Sequence, residues 1–164
     1  MDSQEQLLQE LLSQEDELQF ATFGNDDAMR VGNMLVEHAR ALGKAVTVDI
    51  RRNGQQLFHF AMTGTSADND AWIARKCRVV DRYGRSSFCV GTRFRVNGTS
   101  FEAASRLDAD RYAAHGGAFP LIIRGVGVVG SIAVSGLPQE QDHALVVKVL
   151  REFLAAQAAA APRS

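Results

Sequence analysis

The segment TGTSADNDAWIARKCRVVDRYGRSS, residues 63–87, holds the chain's single tryptophan and five of its cations. An arginine fork grips carboxylate or phosphate, and a lysine adds a mobile ammonium. Arg75, Lys76 and Arg78 can therefore hold an anion, while Trp72 offers a flat apolar ring to a planar ligand. A second cluster is His115-Gly116-Gly117, inside HGGAFP. Its glycines leave backbone N–H groups unshielded, open to an anionic group or a carbonyl oxygen. His59, set between phenylalanines, and His115 are the histidines best placed to face a pocket. Each reading has a plainer rival. The cations also read as a solvated helix face, Trp72 as core, the glycines as a helix stop, and the histidines as hydrogen-bonded structural residues.

Other chemistry is not signalled. There is no Gly-x-Ser-x-Gly elbow, phosphate-binding P-loop or His-Glu-x-x-His helix. GVGVVG, residues 125–130, imitates a dinucleotide fingerprint, but it sits among strand formers with no helix opening at its last glycine. It reads as a turn and a tightly packed strand. His38, His59, His115 and His143 form no i, i+4 pair, so the spacing indicates no metal site. Cys77 and Cys89 lie in apolar surroundings and read as reduced thiols.

The elements that must position these residues follow from periodicity. Leu7, Leu8, Leu11 and Leu12 mark an amphipathic helix over residues 3–17. ELQFATF reads as a brief strand. A helix follows, capped by Asn25, with acids in its first turn and Gly43 at its stop. Asn53-Gly54 between two runs of β-formers predicts a hairpin with a type I′ turn. Thr65 or Ser66 caps a helix over about 67–82, which Gly84 ends. SSFCVGTRFRVNGTSFEAAS leans towards a helix and a loop, and DADRYAAHGGAFP towards a short helix ending in the glycine pair. LIIRGVGVVGSIAVSG gives two strands around Arg124-Gly125, and a closing helix starts near Pro138. The order α-β-α-β-β-α-α-β-β-α predicts an α+β fold: a mainly antiparallel sheet covered by helices. Residues 1–17 belong to the same domain as 18–157, and 158–164 read as a frayed tail.

At 164 residues the chain suits one domain, and 46% apolar with 23% charged residues is ordinary for a soluble fold. A net charge of -1 argues against broad nucleic-acid binding. The acidic N-terminal segment does not read as a signal peptide, and no apolar run approaches the ~20 residues of a membrane span. The expected location is cytoplasmic, with neither nucleic acid nor membrane as partner. Charge is uneven: residues 1–27 hold eight acids and no Lys or Arg, while 75–95 hold seven cations and one acid. That asymmetry suggests that the two segments meet, within a subunit or between subunits; the plainer reading is two independent solvated faces.

HGGAFPLIIRGVGVVGSIAVSGLPQEQDHALV resembles the haem-degrading-domain family, also called GlcG/HbpS-like. The shared features are a glycine pair before a proline, a VG-x-I-x-VSG strand, and QD opening the last helix. FHFAMTGTSADNDAWIARKCRVVDRYGRSS is similar to an uncharacterised branch of that family, through Thr63, Gly64, Asp68, Asn69, Trp72, Arg75, Lys76, Ser86 and Ser87. The resemblance covers about residues 20–155. It implies an α-β-α sandwich around a five-stranded antiparallel sheet, similar to profilin-like domains, and homo-oligomers. It also raises haem as a cofactor, without mapping iron ligands onto positions here. Three functions follow. The first is binding of a planar or anionic small molecule by Trp72, Arg75, Lys76, His115, Gly116, Gly117, His59 and Asn69. The second is an oligomeric scaffold joined through the acidic helix and the basic stripe. The third is an enzyme turning over haem or another small molecule through His59 or His115.

Overall fold

A computed structural model describes residues 2–161. Its order is α1 (Ser3–Glu17), α2 (Asn25–Ala41), β1 (Thr47–Arg52), β2 (Gln55–Ala61), α3 (Ala67–Tyr83), α4 (Ser87–Val96), α5 (Phe101–Ser105), β3 (Ala118–Ile123), β4 (Gly127–Ser135) and α6 (Gln139–Ala160). The strands form one antiparallel sheet in the order β2-β1-β4-β3. Helices α2 and α6 cover one face, and α3 with α4 covers the other. None of the described helices is long and apolar enough to cross a membrane.

Strand periodicity makes the two faces unequal. Val48, Ile50, Phe119, Leu121, Ile132 and Val134 point towards α2 and α6 and bury a large aliphatic core. Small residues point the other way: Ala118 and Ala133 meet Ile73, Cys77 and Val80 of α3. Helix α3 therefore lies close to the sheet. The β1–β2 turn takes the predicted form, with Asn53 at φ 51° and Gly54 at φ 82°.

Several expectations need correction. The sheet has four strands among the described residues, not five. The segment around Phe20 contributes a single parallel bridge to Ile123. Phe20 and Phe23 are both buried and pack edge-on at 4.8 Å. Residues three apart fall on opposite faces of a strand, so placing both rings in one core forces the chain to curl. Gly24, not Asn25, is the α2 cap, and its N–H donates to Asp27 Oδ2 at 2.8 Å. The DADRY segment is a turn rather than a helix. Asp108 Oδ1 accepts from the Asp110 N–H at 2.9 Å, a local bond that competes with helix formation. A short α5 stands where a loop was expected, and α6 extends to Ala160, into the tail expected to fray. Residues 162–164 of that tail lie outside the described residues.

The two oppositely charged segments meet within the chain at one ion pair. Glu15 is buried between α1 and α4, where its Oε1 pairs with Arg85 at 3.4 Å and its Oε2 accepts from Ser86 N–H at 3.4 Å. A carboxylate at the N-terminus of α4 is favoured by the helix dipole. Burial nonetheless holds the Glu15 carboxyl above its usual range, with Arg85 opposing that shift.

The α2–sheet contact yields a stability test. Gly32 faces the Phe58 ring, and a Cβ there would overlap three ring atoms. Gly→Ala in a helix normally gains roughly 1 kcal/mol, whereas overpacking costs about 1–3 kcal/mol. Gly32→Ala is therefore expected to destabilise the fold in urea denaturation, and Phe58→Leu to restore part of the loss. A stabilised Gly32→Ala would show that Phe58 yields freely.

Candidate functional site

Helix α3 starts where Ser66 accepts the Asp68 N–H on its side chain, and it ends at Gly84 in the left-handed region, φ 66°. Between these stops, the 3.6-residue period carries Asp68, Asn69, Trp72 and Lys76 down one flank. That flank borders a cleft of about 250 Å³, closed by His115 and Gly116, the end of β4, and the first turns of α6.

Lys76 forms the cleft's inner wall and is only 2% exposed. Its Nζ donates to Val134 O at 2.7 Å and Gly116 O at 3.1 Å, and lies 3.4 Å from Asp142 Oδ2. The three acceptors come from β4, the glycine loop and α6. Asp142 Oδ1 also accepts from the Leu137 N–H at 2.9 Å. Burial pushes the lysine pKa down, and Asp142 opposes that shift. Burial pushes Asp142 up to about 6, and Lys76 opposes it.

The outer wall is aromatic. The rings of Trp72 and His115 pack at 5.2 Å with a 57° tilt, and the Arg75 guanidinium lies 4.0 Å from the indole centroid. Burial lowers the His115 pKa, favouring a neutral imidazole. Asn69 Nδ2 donates to Ser135 Oγ at 3.2 Å and fastens α3 to the end of β4. The Gly116 N–H donates to Gln139 Oε1 at 3.0 Å, so that group is already engaged within the chain.

Five of the eight expected residues therefore line one cleft: Asn69, Trp72, Lys76, His115 and Gly116. Three stand elsewhere. Arg75 lies on the indole and donates to Ala109 O at 3.3 Å. Gly117 sits behind the wall at φ 134°, where a Cβ would strike Lys76 Nζ and Val134 O. His59 lies in a separate cleft on the other flank of α3. Lys76 was expected in a cationic run, but it turns inward. The arginines of that run hold this chain's own loop: Arg78 donates to Arg111 O at 3.1 Å, and Arg82 lies 5.9 Å from the Tyr112 ring centroid.

Ser135, Gln139 and Asp142 line the same cleft and were not expected there. VSG and QD contain Ser135 and Asp142, so part of the signal stood in the sequence. The thiols stay outside this chemistry. Burial raises Cys77 to about 11 and Cys89 to about 12, leaving both protonated near neutrality.

Comparison with known proteins adds a family to this geometry. The family described as "Haem degrading protein HbpS-like" matches residues 23–151. A UPF0303 protein of Streptomyces avermitilis is 61% identical over 145 residues, covering 88% of this chain and 89% of the relative. The crystal structure of Ybr137w protein matches with a TM-score of 0.85 at 32% identity, over 92% of this chain and 89% of that one. A crystal structure of a PduOC:heme complex matches with a TM-score of 0.65 over 79% of this chain and 94% of that one. Its 19% identity shows a shared fold and no more.

The buried ion pair predicts a pH-dependent mutant. Removing one partner of such a pair costs about 3–5 kcal/mol because the other charge is left unpaired. Lys76→Met should lose that much stability near neutral pH. Asp142 has a folded pKa of about 6, above the usual carboxylate value, and losing Lys76 raises it further. The group is then neutral at low pH and costly when ionised, so the deficit should shrink below about pH 5 and grow towards pH 8. Urea melts of both proteins across that range check the slope. A deficit independent of pH would remove Asp142 from the account.

Proposed function

The chain belongs to the HbpS-like family of haem-degrading proteins, and from that premise we propose that it binds a small planar, anionic ligand in the Trp72–His115 cleft. The observation that carries this reading is the convergence of five expected residues on one concavity, with Lys76 at its inner wall. Ligand sites typically combine apolar rings with a few fixed polar groups in ~300–1,000 Å³. At about 250 Å³ this cleft falls just below that range, so it admits a small organic acid or one edge of a macrocycle rather than a whole porphyrin. Haem, planar with two carboxylate arms, is a candidate held by one edge only. The fold shared with the haem-bound PduOC structure supports trying it.

The chain's residues have distinct parts in this reading. Trp72 and His115 pack on the ligand's flat portion, and Arg75 meets a carboxylate from the rim. Lys76 keeps the wall in place, its charge paired with Asp142. Its amine hydrogens are committed to Val134, Gly116 and Asp142, so it does not swing out to grip the guest. A neutral His115 suits a nitrogen that accepts a hydrogen bond or ligates a metal carried by the guest. We also propose that the protein assembles as a homo-oligomer, as its family resemblance implies, and that it resides in the cytoplasm.

Absorbance titration with haem, beside a thermal-shift series of small carboxylates, tests the site. Saturable binding should weaken about tenfold or more in Trp72→Ala and His115→Ala, the effect of truncating a central aromatic contact. Either no saturable ligand in both assays, or equal affinity in wild type and both variants, would overturn the assignment.

A further inference from the structure

Two side-chain amides, Asn69 and Gln139, line the ligand cleft, and a backbone N–H orients each of them. A backbone N–H only donates, so the amide must turn its oxygen towards it and its NH2 away. The Ser66 N–H donates to Asn69 Oδ1 at 3.1 Å, and Asn69 Nδ2 accordingly donates to Ser135 Oγ at 3.2 Å. Ser135 accepts in that bond, so its own proton is left over. The Gly116 N–H donates to Gln139 Oε1 at 3.0 Å, which leaves both hydrogens of Gln139 Nε2. Among the described residues, neither leftover donor has an acceptor of its own.

These donors share one stretch of wall. Ser135 ends β4, Gln139 opens α6, and both line the cleft. Ser135 is 5% exposed, so its proton is screened from bulk water, where an unmet donor is costly. Lys76 offers no rival, since its hydrogens are committed to Val134, Gly116 and Asp142. Its charge is paired with Asp142, and the remaining charged group of the lining, Asp68, is a carboxylate that only accepts. Net charge therefore does not draw an anion to this end of the cleft. Neutral hydrogen-bond donors are what it has to offer.

We infer that Ser135 and Gln139 are specificity-determining residues of the cleft, a pair of neutral donors that reads the carboxylate of a small planar acid. The inference rests on the reading of the cleft given above and adds the group that recognises the ligand's polar end. One O–H and one N–H match the two oxygens of a carboxylate, and a charged acceptor strengthens both bonds. An ammonium, which only donates, finds no partner in the pair. The glycine loop takes part at one remove: the Gly116 N–H fixes the amide whose NH2 is offered to the guest.

Gln139→Glu separates the two tasks of this side chain. One oxygen still accepts from the Gly116 N–H, while the other puts an acceptor where the NH2 was. The new carboxylate stands in the first turn of α6, where the helix dipole favours it, so circular dichroism should match wild type. The probes are benzoate and benzylamine, one planar ring with opposite polar ends, titrated into the full chain and followed by amide chemical shifts. Wild type should bind benzoate saturably and more tightly than benzylamine. Benzoate affinity should fall about tenfold in Ser135→Ala and at least tenfold in Gln139→Glu, the scale of one hydrogen bond to a charged group. In Gln139→Glu the order of the two probes should also reverse, which a merely structural role would not produce. Benzoate affinity unchanged in either variant, benzylamine bound by wild type as tightly as benzoate, or no benzoate response at all would overturn the pair. Trp72→Ala, run alongside, keeps the two readings apart. Benzoate weakened by Trp72→Ala alone overturns the donor pair and leaves the cleft reading standing. Benzoate weakened by Gln139→Glu and Ser135→Ala but not by Trp72→Ala upholds the pair and overturns the aromatic contact.

Discussion

One buried ammonium holds the cleft together. Lys76 sits on α3, and its three acceptors belong to the glycine loop, the end of β4 and the first turn of α6. These are the elements that wall the concavity. Desolvating a lysine and an aspartate costs several kcal/mol, and a well-packed apolar substitute is often no less stable. The gain lies in geometry: an ammonium with three fixed acceptors admits one arrangement of four segments, whereas an aliphatic contact tolerates sliding. Gly117 belongs to the same constraint. Any side chain there would occupy the volume of the lysine nitrogen, so the glycine pair serves the ammonium before it serves a guest.

The unequal faces of the sheet make that constraint possible. Bulky aliphatics towards α2 and α6 form a broad core. Ala118, Ala133 and Ser131 towards α3 keep the helix close enough for Lys76 to reach backbone oxygens and for Ser131 Oγ to approach Cys77 Sγ at 3.4 Å. With larger residues in those places α3 would ride higher, and the lysine would meet solvent. The small face is thus what turns a charged residue inward.

How much of this was legible follows from the range of each interaction. Asn53-Gly54, Ser66 and Gly84 act through their own backbone, so the hairpin and the span of α3 could be read locally. Trp72, Asn69, His115 and Gly116 were identified as site residues by type and motif, and they do meet. Lys76 was identified for the wrong reason. Beside Arg75 and Arg78 it looks like part of a solvated stripe, and only its phase relative to Cys77 and Val80 separates it from them. The fifth strand failed because Phe20 and Phe23 share a core three residues apart, which a strand cannot provide. His59 could be seen as a pocket residue, but its partners Asp49 and Asp70 are ten and eleven positions away on different elements.

Size alone would have put the site elsewhere. A larger concavity, about 860 Å³, lies between α2 and the last turns of α6. Alanines of α6, with Phe153, Leu154 and Met34, make up much of its wall, and most of its charged side chains are already paired. Arg30 pairs with Asp27 at 3.1 Å, and Glu17 pairs with Arg151 at 2.8 Å. A groove with most of its charges paired at the rim can bury apolar surface but has few groups with which to orient a guest. The smaller cleft has the opposite balance, with an imidazole, an indole under a guanidinium and an internal ion pair around a concavity that none of them fills. Selective recognition depends on fixed, directional groups more than on volume, and in this fold those groups are gathered where Lys76 fastens the glycine loop to the sheet.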